Sequence, residues 1–171
     1  SGISAIQMAS EAISAMPLLR IDHETTANVG SFIAPGAKNI VCDKARLVFE
    51  ARSLDNEKLK KQTERMKQEL LDAARRHGGS VEIHHEHLYE VYRHQQDSPV
   101  MKTFKHACTK LGLPYREEPT LGGSDANILY EMGIPTLVCS IGYEEAHTTN
   151  EYIPIEELER LGSLVLELAT L

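Results

Sequence analysis

The sequence predicts an α+β fold: a βαββαβ sandwich of the split-βαβ type lacking its first strand, followed by a shorter stretch of α/β character. Three observations carry this. Up to residue 91 the hydrophobic pattern alternates between helical and extended periods in the order helix, strand, strand, helix, strand, and one strand before the first helix would complete the sandwich. Ser98-Pro99 then restarts a helix with a cap residue and a proline at its first position. Finally, Gly122 to Glu151 reads as a turn, a short helix, an apolar strand and a polar loop, the arrangement in which open α/β sheets present ligand sites at strand carboxyl ends.

The elements follow in order. Ile3, Ile6, Met8, Ala9, Ile13 and Met16 recur at helical spacing and predict a core-facing helix that Pro17 stops. Thr25 to Ala34 is rich in Thr, Val, Phe and Ile, and Lys44 to Arg52 alternates Leu47, Phe49 and Ala51 with Arg46, Val48 and Glu50, so two adjacent strands are expected. Asp55 is placed to cap a long helix whose inner face carries Leu59, Thr63, Met66, Leu70, Ala73 and Ala74, and Gly78-Gly79 ends it. Val81 to Val91 predicts another strand. The domain boundary is expected near residue 95, giving regions 1–95 and 96–171. Beyond it, a helix over Val100, Phe104, Ala107, Cys108 and Leu111 stops at Gly112-Leu113-Pro114. Ser124 or Asp125 can cap a short helix, Pro135 opens the run Thr136 to Cys139, expected to be a strand buried on both faces, and a last helix starts at Ile155.

Composition removes several classes of function. A net charge of −7 is wrong for a nucleic-acid surface, which needs clustered cations, and the Lys and Arg between 58 and 76 alternate with acids on one helix. No long apolar span or signal peptide is present, so no membrane partner is expected and the cytoplasm is the expected compartment. Cys42, Cys108 and Cys139 are odd in number and widely spaced, and read as buried reduced thiols.

Taken singly, the chemistry-bearing groups are modest. His147 lies among Glu144, Glu145 and Glu151, a set suited to a metal or to acid–base work, while an isolated loop histidine is more often a solvated side chain. The amides of the Gly122-Gly123-Ser124 turn can meet a carboxylate or phosphate. In His84-His85-Glu86-His87 a strand would put His85 and His87 on one face and His84 with Glu86 on the other, too few donors per face for a metal. Arg52 closes a strand, where a salt bridge to a neighbouring acid is the ordinary role, and Asn39 follows the Pro35-Gly36 turn, where asparagine is common.

As an ordered series the motifs say more. SGISAIQMASEAI, GAKNIV with Asn39, EARSLD with Arg52, GGSDAN, GIPTLV and AHTTNEYIPIEEL together resemble the M20 family of metallopeptidases, closest to its peptidase T-like branch, over nearly the whole chain. The resemblance implies that residues 1 to about 95 form most of a lid and homodimerisation domain, and that the rest is the C-terminal part of a catalytic α/β domain. It implies a dinuclear zinc site, with cobalt or manganese as substitutes, and short peptides or acylated amino acids as substrates. His147 matches the family's last metal ligand. Asn39 and Arg52 match lid residues that contact the scissile carbonyl or a substrate carboxylate, and Gly122, Gly123 and Ser124 match a turn on the substrate side. The implied chemistry is attack of a metal-bridging hydroxide on a peptide carbonyl, with a glutamate relaying the proton.

The remaining metal ligands, the general-base glutamate and the lid histidine that crosses the dimer belong to family sequence preceding Ser1, so no catalytic residue is expected in this chain and the chain alone is expected to be inactive. Some members carry an arginine before the Gly-Gly turn to hold a terminal carboxylate. Here Glu117 to Leu121 stand in its place, which favours an aminopeptidase-like preference. The competing expectation is a self-sufficient dimeric ferredoxin-like binding module with an incidental or regulatory metal at His85 and His87. Burial of the apolar residues after 98 separates the two.

Overall fold

The computed structural model describes residues 2–170. It divides into two compact units, Ser1–Val91 and Tyr92–Leu171. The first contains α1 (Ala5–Ala15), β1 (Leu19–Arg20), β2 (Thr25–Ile33), β3 (Arg46–Ser53) and α2 (Asn56–His77). The second contains α3 (Pro99–Lys110), α4 (Asp125–Glu131) and α5 (Ile155–Ala169).

The helix boundaries follow local chemistry. Ser4 Oγ accepts the Gln7 amide at the start of α1, and Pro17 follows its last turn. Asp55 accepts the Lys58 amide at 3.0 Å to open α2. At the other end Gly78 takes the left-handed conformation, φ +67°, with Arg75, Arg76 and His77 in the last turn where cations suit the helix dipole. Pro99 opens α3 as expected, but the Ser98 hydroxyl makes no cap bond and is buried without a partner.

The strands form one antiparallel sheet in the order β1-β2-β3. Ala27 opposes Ala51 and Val29 opposes Phe49, and the register then shifts by one residue, so that Ser31 faces Val48. Both helices contribute to one core with the sheet, where Ala12, Met16, Ala27, Met66 and Ala73 are buried and Phe49, Ala51 and Leu70 pack against them. Alanines at 5, 9, 12, 73 and 74 are among the buried residues, so small side chains line much of the buried helix surface. Gln62 is buried with its amide nitrogen donating to the Pro17 carbonyl at 2.8 Å, which ties α2 to the end of α1.

Three expectations need correction. Ile3 and Ile6 are exposed, and Ala5, Ala9 and Ala12 make the buried face of α1 instead. Val81 to Val91 makes no ladder with the sheet. Alternation of side chains is only half of a strand, and the backbone groups must also meet a neighbour of matching register. Thr136 to Cys139 likewise forms no strand, and Val138 is exposed rather than buried on two faces. The two-residue β1 was invisible to pattern reading because its residues are exposed and too few to show a period.

The second unit is thinly packed. Ala107, Cys108 and Leu164 are buried with Phe104, Leu111, Leu113, Tyr115 and Leu168 around them. Against that small core, Met132, Ile134, Val138, Tyr143, Tyr152, Ile155, Leu158, Val165 and Leu166 are all exposed. Cys42 and Cys108 are buried free thiols, whereas Cys139 is only half-buried. No helix among the described residues is long and apolar enough to cross a membrane.

Candidate functional site

The predicted site residues fall in both units. In the first unit, Asn39 sits exposed in a turn closed by the Ile40 amide and the Ala37 carbonyl at 3.1 Å. The loop is pinned behind it. The Ala5 amide donates to the Cys42 carbonyl at 2.9 Å, and the buried Cys42 thiol donates to the Lys44 carbonyl at 3.1 Å. An open cleft between Ser4, Gln7, Lys38 and Val41 adjoins this loop.

Arg52 is on β3 opposite Thr26, and Glu50 is opposite Asn28. Because strand side chains alternate, Phe49 and Ala51 point to the helices while Glu50 and Arg52 point to the other face. There the guanidinium Nε and Nη2 both donate to the Glu50 carboxylate, the second bond at 2.9 Å. These bonds, followed by the loss of hydration that opposes them, hold the guanidinium's proton affinity above its ordinary value, with Tyr89 adding electrostatically.

In the second unit, Gly122, Gly123 and Ser124 lead into α4. The Gly122 amide donates to Thr120 Oγ1 at 3.1 Å, and Gly122 is not in the left-handed region. Ser124 caps the helix reciprocally with Asn127: its side chain accepts the Ala126 amide, while the Ser124 amide donates to Asn127 Oδ1 at 3.1 Å. All three residues are exposed.

His147 is exposed on a closed loop. Glu144 and Tyr152 form a backbone bridge at its base, 2.8 and 3.3 Å, reinforced by the Tyr152 hydroxyl donating to the Glu144 carboxylate at 2.7 Å. That bond pushes the Tyr152 hydroxyl pKa upward. Inside the loop the Glu145 carbonyl accepts from both the amide and the hydroxyl of Thr148. Glu145 and His147 both take positive φ, +50° and +65°, and the His147 amide donates to the Glu151 carboxylate at 2.6 Å. A left-handed backbone at non-glycine residues costs of order 1 kcal/mol each and persists only where surrounding bonds hold it. Here those bonds fix the Cα from which the imidazole projects.

By residue type the acidic neighbours of His147 suit metal or acid–base work, whereas the family resemblance assigns the catalytic carboxylates to sequence before Ser1. Instead Glu144 clasps the loop through Tyr152 and Glu151 holds the His147 backbone. The Glu50 partnership of Arg52 was legible only as a generic salt bridge, although the E-x-R spacing on a strand is its signal. Nothing in the sequence marked the cluster in which Tyr92 stacks on Tyr130 and His94 Nε2 contacts the Thr136 carbonyl at 2.8 Å. His84 and His87 are exposed and lie near Glu82 and Glu90, at 3.0 and 3.4 Å.

A metal test on the donor set is direct. Among the described residues only Asp22, His23 and Glu24 bring three donor atoms within 4.8 Å of one another, and Lys58 pairs with both of those carboxylates. His147 contributes a single imidazole, and a zinc ion takes roughly three or four protein donors. The residues present therefore do not fit a dinuclear centre.

Residues 1–78 match the family model of the M20 peptidase dimerisation domain. The chain is 46% identical over 165 residues to the protein YqjE of Bacillus subtilis strain 168, covering 96% of this chain and 44% of that one. It superposes with a TM-score of 0.90 and 40% identity on a tripeptidase from Staphylococcus aureus Mu50, and with 0.84 and 42% on aminopeptidase PepT from Bacillus cereus ATCC 10987. Each superposition covers 98% of this chain and 45% of the other. The chain thus spans under half the length of these relatives.

Proposed function

From a chain that is M20 peptidase T-like along its length and carries that family's dimerisation domain, we propose that the complete protein is a metal-dependent peptidase hydrolysing amide bonds of short peptides in the tripeptidase or aminopeptidase manner. Acylated amino acids are the second substrate class. In this reading residues 1–95 act as a lid and homodimerisation surface, residues 96–171 belong to the catalytic domain, and the enzyme works in the cytoplasm. His147 serves as one metal ligand, with zinc the preferred ion. Asn39 and Arg52 contact substrate from the lid, while Gly122, Gly123 and Ser124 line the substrate side of the catalytic domain. The metal, where bound, supplies Lewis-acid polarisation of the scissile carbonyl. This chain's own residues orient substrate and hold one imidazole. By itself the chain is inactive, because its donors do not assemble a metal pair.

The observation that carries the reading is the loop from Glu144 to Tyr152, which spends left-handed backbone at His147 to present one exposed imidazole. The uncovered apolar side chains of the second unit support the peptidase over the self-sufficient module, since an independent module would bury them. In the complete protein, His147→Ala is expected to lower zinc affinity and tripeptide kcat by at least the roughly 10–100-fold that removing a hydrogen-bond partner of a metal ligand costs. The His85→Ala/His87→Ala double variant is expected to change neither. Unaltered zinc affinity in His147→Ala would sink the assignment. Hydrolysis of a tripeptide by the purified chain with zinc or cobalt, free of longer enzyme, would sink the expected inactivity.

A further inference from the structure

The helix that the Gly122–Ser124 turn opens, α4, has seven residues, and helices shorter than roughly 12–15 residues are marginal in water on their own. Packing against neighbouring helices does not support it. Among the described residues, neither α3 nor α5 brings a Cα within 8 Å of α4, and Ala126 is its buried side chain while Ile128, Leu129 and Tyr130 are exposed.

What meets the helix is a segment with no regular structure of its own. Tyr92 stacks on Tyr130 with ring centroids 4.5 Å apart, and the His94 ring stands edge-on to both at 5.4 Å, two arrangements that aromatic pairs favour. A carbonyl oxygen only accepts, so the 2.8 Å contact of His94 Nε2 with the Thr136 carbonyl places the ring hydrogen on Nε2. The two attachments straddle the end of α4. Tyr130 lies in its last turn, and Thr136 lies beyond the stop, where Gly133 takes φ +79° and the Gly133 and Ile134 amides donate to the Tyr130 and Leu129 carbonyls at 2.9 Å. Lost hydration raises the Tyr92 hydroxyl pKa, as suits a ring drawn against its neighbours.

A short helix moves as a rod, so what fastens its last turn also limits the places open to its first, about 10 Å away. The Gly122–Ser124 turn stands at that first end, and its own residues are exposed. We propose that Tyr92 and His94 are positioning residues for this turn: by clasping α4 at Tyr130 and Thr136 they hold the turn where substrate meets it. The inference rests on the turn lining the substrate side, as read above, and adds what fixes it in place.

The test uses the complete metal-loaded protein, with a tripeptide as substrate and amide hydrogen exchange as a readout independent of activity. Tyr92→Ala is expected to speed exchange at Met132, Gly133 and Ile134 about tenfold, the effect of one stacked ring pair, and to leave the amides of α3 and α5 unchanged. The tripeptide KM should rise about two- to tenfold with kcat held within about a factor of two, since a loosened turn loses binding rather than chemistry. His94→Ala should act in the same direction. Tyr92→Phe keeps the ring and should retain wild-type exchange and KM. In a Tyr130→Ala background, adding Tyr92→Ala should change neither, because the pair is already broken.

Unaltered exchange at the end of α4 in Tyr92→Ala or His94→Ala would overturn the role of that residue. Faster exchange spread evenly through α3 and α5 would overturn it too, as the mark of an ordinary core contact. Ser124→Ala separates the inference from the reading beneath it. If Tyr92→Ala loosens α4 with KM unmoved while Ser124→Ala raises KM, the turn stands as a substrate wall and the clasp is overturned as its positioner. If neither variant moves KM, the substrate reading of the turn fails and the inference with it.

Discussion

Asp22 illustrates how one side chain ties local and tertiary structure together. Its carboxylate accepts the Glu24 amide at 2.9 Å and pairs with Lys58 of α2 at 3.1 Å, while Glu24 takes the same ammonium at 2.5 Å. The turn into β2 is thereby fastened to the start of α2. The backbone bond, opposed in part by lost hydration and helped by Lys58, lowers the Asp22 pKa from 3.8 to about 2. A depressed folded pKa means that the unfolded chain binds more protons than the native one between the two values. The stability from this group is complete above the unfolded pKa and is lost as pH falls through about 2. Asp22→Asn is accordingly expected to flatten the acid limb of a stability–pH curve below pH 4, measured by urea unfolding, and to leave the curve's shape near neutrality unchanged.

At the scale of elements, the glycines that matter are the ones whose backbone no other residue adopts cheaply. Gly78 ends α2 at φ +67°, and an added Cβ would meet only Ile3 Cδ1 at 3.9 Å, an ordinary contact. The cost of Gly78→Ala is therefore backbone strain, about 1 kcal/mol, readable as a lowered melting temperature. Gly142 is more severe. It combines φ +77° with a Cβ position 2.8 Å from Glu157 Cβ, the packing of the 140s loop against α5. Gly142→Ala is expected to cost more than Gly78→Ala in the same measurement, because the chain must shift as well as strain. On the sheet side, Ala73 is fully buried between the helices and strands, and Ala73→Leu is expected to destabilise by about 1–3 kcal/mol through overpacking. A neutral result there would mean that the helices separate more easily than their alanine-lined contact implies.

Across the whole molecule, the two units differ in how much of their apolar surface they cover. The first closes a core around Ala12, Met66 and Ala73, whereas the second leaves Val165 and Leu166 of α5 more than half exposed. Apolar patches of this kind drive association in water. The isolated chain is expected to bind a hydrophobic dye and to elute larger than its mass of 19.1 kDa, and the Val165→Glu/Leu166→Glu double variant should reduce both with little change in melting.

Much of this was written in the residue order. Ser4, Asp55 and Ser124 at helix starts, Pro17 and Gly78 at helix ends, and the alternation through Phe49 and Ala51 are local signals, and local signals fix local conformation. The series of motifs that points to the M20 family is likewise a property of the sequence alone. Tertiary structure decided what depends on partners. Whether Val81 to Val91 and Thr136 to Cys139 become strands turns on hydrogen-bonding neighbours that alternation cannot supply. Whether Glu50 binds Arg52, or Glu151 holds the His147 amide rather than a metal, turns on distances of a few ångströms between groups whose types the sequence states and whose positions it leaves open.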